Sequence, residues 1–136
     1  MIAEPTLFTS SGTDGRMSES NYRRLVVWQK ARELARCIYR ETQSFPSVEI
    51  FGVTQQMRRA SISILSNIAE GQGRYTRRDC RRFLIIARGS ATELEAQIVI
   101  SLDLEYLTAR AATDLESRTT EVCKMLNGLL KRFPES

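Results

Sequence analysis

The sequence predicts an all-α protein, an antiparallel up-and-down four-helix bundle. Three observations carry that reading. From Tyr22 onward apolar residues recur at spacings of three and four, the period of a helix with one buried face. No segment shows the sustained two-residue alternation of a half-buried strand. Helix breakers are scarce: the 136-residue chain has three prolines and seven glycines, and Pro5, Gly12 and Gly15 crowd near its start. That length suits one domain. Residues 1–21, rich in Ser, Thr and Gly and without periodicity, are expected to be a flexible extension. The bundle is expected over residues 22–133.

The first helix is predicted over about residues 22–44, with Leu25, Trp28, Ala31, Ala35, Ile38, Thr42 and Phe45 on one stripe. Pro46 ends it, because the residue before a proline avoids the helical region. The second is predicted over about 49–71. Its stripe is Val53, Met57, Ala60, Ile64 and Ile68, and a second apolar face holds Ile62, Leu65 and Ala69. Between the two runs a polar strip of Gln56, Arg59, Ser63, Asn67 and Glu70. Apolar residues on two faces imply burial on both, one by the bundle and one by another subunit. Gly71 and Gly73 are read as helix-stop and turn glycines, since a Gly-x-Gly preceded by a helix is not a dinucleotide loop.

The third helix is predicted over about 77–107. Thr76 is its N-cap, and Asp79 three residues on gives a capping-box-like start that favours the dipole. Phe83, Ala87, Ser90, Leu94, Ile98, Ser101 and Leu102 define its inner side. Gly89, among small neighbours, implies close approach of another helix. The fourth is predicted over about 111–132, with the heptad-like seam Leu115, Thr119, Val122, Leu126, Leu129 and Phe133.

Composition excludes several chemistries. The chain has no histidine, which removes Ser-His-Asp and Cys-His catalysis and the Glu-x-x-His ligands of di-iron bundles. Cys37, Cys80 and Cys123 are widely spaced and form no Cys-x-x-Cys, so free thiols in a reducing cytoplasm are expected. No apolar run approaches a membrane span. Glu93 and Glu95 fall on different helix faces and make no carboxylate pair by themselves. The sequence therefore predicts no catalytic residue, no metal and no cofactor.

The net charge is +4, unevenly spread. Arg58, Arg59, Arg74, Arg77, Arg78, Arg81, Arg82 and Arg88 stand against only Glu70 and Asp79 in their stretch, whereas acidic residues outnumber basic ones from Gly89 onward. Such asymmetry points to an anionic partner, or to the basic part of one subunit meeting the acidic part of another. Arg74, Arg77, Arg78, Arg81 and Arg82 are the candidate nucleic-acid-binding residues, since arginine suits bidentate phosphate contact. Asn67, Glu70, Arg88, Ser90 and Glu93 are a candidate polar network or interaction site.

In order along the chain, Leu25 to Ala31, Phe45-Pro46, Phe51-Gly52, Gln56 to Ala60, Asn-Ile-Ala-Glu-Gly at Asn67 to Gly71, Arg82 to Leu84, and Ile-Ala-Arg-Gly-Ser at Ile86 to Ser90 resemble the proteins encoded in bacterial 23S ribosomal-RNA intervening sequences. The resemblance spans about residues 22–133. It implies an up-and-down bundle assembled as a ring-shaped homopentamer, and it implies no settled activity. Similar bundles that accompany reverse transcriptases contact nucleic acid. Leu65 stands where many relatives have proline, and Cys80 where they often have a charge. The expected function is a non-enzymatic, homo-oligomeric bundle binding RNA, or else DNA, through a basic surface. The alternative is a protein scaffold or adaptor ring with no nucleic-acid role.

Overall fold

The computed structural model describes residues 21–133. They form four α-helices: α1 Val26–Thr42, α2 Val53–Gln72, α3 Arg77–Asp103 and α4 Ala109–Leu130. Two short 3-10 turns, Tyr22–Arg24 and Ser47–Glu49, precede α1 and α2. Among the described residues there is no strand. Consecutive helices pack on each other and α1 closes the circuit on α4. Cross-helix contacts fix the antiparallel sense of two of these pairs: Ser63 meets Ser90 and Met57 meets Ser101 between α2 and α3, while Arg88 meets Asn127 and Glu95 meets Cys123 between α3 and α4. The expected extension lies outside the described residues apart from Asn21, which is buried.

The helical stripes form one core. All seven stripe residues of α1 are buried, as are all six of the α4 seam. In α3 the inner seam is Leu84, Ala87, Ala91, Leu94, Ile98 and Ser101. Phe83 and Ser90, expected inside, sit half-buried on the flank facing α2. The second apolar face of α2 needs a correction: Leu65 and Ala69 pack half-buried against the chain's own core, and only Ile62 is exposed. Two-sided burial of α2 by a neighbour is therefore not required.

The helix ends also depart from the period. The first helix begins as a 3-10 turn, because Leu25 takes an extended conformation (ψ 128°) that drops its side chain into the core. The Tyr22 ring then packs edge-on against Trp28, 5.1 Å away. The third helix stops at Asp103 rather than near 107. The amide of Tyr106 donates to the Ser101 carbonyl and that of Glu105 to Leu102, with Glu105 at φ 65°: a Schellman stop. The Tyr106 hydroxyl donates to Glu49, whose other carboxylate oxygen accepts from the first amide of α2. One carboxylate thus joins the α1–α2 corner to the end of α3. This contact raises the Tyr106 pKa, chiefly through the hydrogen bond.

Gly73 is the cap at which α2 stops, as the corner reading expects, but no glycine among the described residues has positive φ, and Gly71 departs from that reading. Gly71 lies inside α2, where a Cβ would stand 3.3 Å from the Cys80 carbonyl and from the Phe83 Cβ. Its role is close approach between α2 and α3. Gly73 alone caps the helix end.

Candidate nucleic-acid interface

The up-and-down path gathers the start of α1, the end of α2, the start of α3 and the end of α4 at one end of the bundle. Thr76 starts α3 there, its hydroxyl accepting from the Asp79 amide at 3.1 Å. The first two turns of α3 then project four arginines, and Arg74 approaches from the loop. Arg23, Arg24, Lys131 and Arg132 belong to the neighbouring helix ends.

The structure brings the five predicted arginines to this end and gives four of them internal partners. Arg74 pairs with Glu70 one turn earlier and lies over the Phe83 ring at 4.6 Å. Arg82 covers the same ring at 4.5 Å and approaches Asp79 at 3.9 Å. Arg77 lies over the Phe133 ring at 4.6 Å and donates to the Arg132 carbonyl. The Arg81 Nε donates to the Phe133 carbonyl at 2.6 Å. Arg77 and Arg81 thus hold the turn that follows α4, near the negative pole of its dipole, where cations are favoured. Arg78 is exposed and makes no ion pair or hydrogen bond among the described residues.

Two aromatic rings, Phe83 and Phe133, are therefore plates on which guanidinium groups rest. Each arginine is held by part of its surface; a guanidinium carries five donors, so the remainder stay outward. The side chains of Arg74 and Arg82 remain 37% and 59% exposed. Behind them Cys80 is buried, and desolvation lifts its thiol pKa to about 11 against the pull of Arg77. That thiol is neutral at ordinary pH.

The predicted polar set does not form one network. Asn67 donates to the Ser63 carbonyl and hydroxyl, and Ser63 meets Ser90 across the helix pair at 2.8 Å. Glu70 turns to Arg74, Glu93 accepts from Gln97, and Arg88 donates to Asn127 on the opposite flank of α3. Ser63 is the hub that the sequence reading left out of its candidates. Its spacing from Asn67 was visible; its register against Ser90 required the packing. Ser90 and Glu93 also line a groove of about 670 Å³ with Tyr39, Arg59 and Ile62. Among the described residues no cluster of His, Cys, Asp or Glu could hold a metal, and no helix is long and apolar enough to cross a membrane.

The model of one protein family, described as 23S rRNA-intervening sequence protein, matches residues 23–128. The chain belongs to that family. A solved structure similar to it is a protein of unknown function from the S23 ribosomal protein family of Bacteroides thetaiotaomicron. That structure is 28% identical, with a TM-score of 0.71, and the match covers 78% of this chain and 99% of the other. No curated protein matches the chain. Every predicted site residue lies inside the matched span. The two carbonyls that receive Arg77 and Arg81 lie beyond it.

Proposed function

We propose that this protein is a non-enzymatic, self-associating helical bundle that binds nucleic acid, RNA in preference, along its phosphate backbone. The observation that supports the reading most is the held but exposed arginine set over Phe83 and Phe133. A cation already fixed in place loses less side-chain entropy on meeting a phosphate than a free one. Arginine matches phosphate geometry bidentately, and contacts to phosphate position a strand without reading its bases. The family description names the ribosomal-RNA intervening sequence that encodes such proteins, which makes RNA the first nucleic acid to test. We place the chain in the cytoplasm, where its three free thiols stay reduced. The five-fold ring is an assembly that the family resemblance alone implies. The scaffold reading draws on the internal use of Arg77 and Arg81, which gives those two a structural reason to be basic.

Filter retention of a labelled single-stranded RNA decides between them. Arg74→Glu with Arg78→Glu leaves the α4 clamp intact and removes two outward cations. Binding should weaken at least about tenfold and its salt dependence become shallower by roughly 0.7 per lost contact. Arg110→Glu, at the opposite end, should change little. Retention unmoved by the double reversal would favour the scaffold.

A further inference from the structure

The aromatic rings that stand among the arginines differ in their cover. Phe83 lies under the guanidinium groups of Arg74 and Arg82, and Phe133 under that of Arg77. Tyr75, in the loop between α2 and α3, is fully exposed. It makes no hydrogen bond and no ring contact among the described residues. Single exposed apolar residues are common on protein surfaces, so exposure alone gives Tyr75 no task. Its mounting and its neighbours do.

The mounting is fixed on both sides. Before Tyr75, the Gly73 amide donates to the Glu70 carbonyl at 3.2 Å and the Arg74 amide to the Gly71 carbonyl at 3.1 Å. The Arg74 side chain is tied to Glu70 and rests on Phe83. After it, the Thr76 hydroxyl accepts from the Asp79 amide, and the Thr76 carbonyl from the Cys80 amide at 3.0 Å. The bare ring therefore projects from an anchored corner. Its neighbours are cations: Arg74 is one Cα step away, about 3.8 Å, and Arg77 and Arg78 follow in the first turn of α3. Between Glu70 and Arg82 no other large apolar side chain is exposed. The ring thus stands among charges, not in the kind of apolar patch that a protein partner covers.

We infer that Tyr75 is a stacking platform for an unpaired base, so that this end favours a single strand over a duplex. The inference deepens the phosphate reading of the same surface and rests on it. A nucleotide carries an anion and a flat ring on one sugar; a guanidinium beside a bare aromatic matches both halves. The arginines hold the backbone, and Tyr75 takes the face of one base. Every base has such a face, so stacking tolerates any sequence. In a duplex the base faces are covered by their neighbours, and the ring finds only edges and backbone.

The test is filter retention of one RNA strand by the full chain, with the strand in three forms: as it is, annealed to its complement, and with its bases removed. Wild type should hold the intact strand about 5- to 150-fold more tightly than the base-free one. Tyr75→Ala should lose that advantage and lower the ratio of single-strand to duplex affinity by the same factor. The slope of log K against log salt should not change, since no phosphate contact is removed. Tyr75→Phe should behave as wild type. Arg78→Glu should do the converse, with a shallower salt slope and the preference for bases kept. Circular dichroism and native mass of each variant check its fold and assembly. Equal retention of the intact and base-free strands by wild type, or a Tyr75→Ala protein that keeps the preference, would overturn the platform while Arg78→Glu still reports phosphate contact. A changed native mass in Tyr75→Ala would overturn it too, by placing the ring between subunits. Retention of no strand in any form would strike the phosphate reading itself, and the platform with it.

Discussion

Glu105 is the residue whose backbone is least comfortable. It occupies the left-handed region that ends α3, at φ 65°, where an L side chain crowds its own carbonyl and glycine does not. Glu105→Gly should stabilise the fold by about 0.5–1 kcal/mol after the larger chain entropy of glycine is deducted, read as a higher urea midpoint. Gly71 is the converse case. A methyl group there presses on the Cys80 backbone, which cannot swing away. Gly71→Ala should cost about 1–3 kcal/mol despite the better helix propensity of alanine. The buried thiols add a pH dependence. Cys80 and Cys123 both hold their protons to about 11, chiefly through desolvation, against an ordinary value of 9.0. A raised folded-state pKa stabilises below the unfolded value and loses that contribution as pH rises through the folded one. Stability should therefore fall between pH 9 and about 11, and fall less steeply in Cys80→Ala whatever that variant's starting point.

At the scale of the helix, the buried stripes were legible because each is set by local period. The α1 and α4 stripes repeat evenly from end to end, and every residue assigned to them is buried. The ends were less legible, because tertiary partners decide them. Leu25 leaves the helix to reach the core, and α3 stops early for a hydrogen bond to Ser101. The second face of α2 misled for a similar reason: a helix between two neighbours in a bundle has a wide buried arc, so Leu65 and Ala69 find cover at home. The arginine clamp was illegible, since Arg81 and Phe133 are joined only by the packing of α3 on α4. Its removal should act locally. Arg81→Ala should speed amide hydrogen exchange in the last turn of α4 several-fold, while the middle of α2 keeps its protection.

At the scale of the whole molecule, the bundle is polar along its length. The up-and-down path collects Arg74, Arg77, Arg78, Arg81 and Arg82 at one end, whereas at the other Glu49, Asp103 and Glu105 stand beside Arg40, Arg58 and Arg110. The running charge showed only part of this: Arg58 and Arg59 of the basic stretch fold to the other end, and Lys131 and Arg132 of the acidic stretch return to this one. Which individual arginines stay outward was beyond the sequence, because the Phe83 and Phe133 plates exist only after packing. The proposed meeting of this end with nucleic acid is one of charges and phosphates. The most direct measurement is the affinity for a single-stranded RNA at a series of salt concentrations. Log K should fall linearly with log salt, with a slope of about −2 or steeper, corresponding to three or more neutralised phosphates. No binding at low salt, or an affinity that salt leaves unchanged, would contradict it.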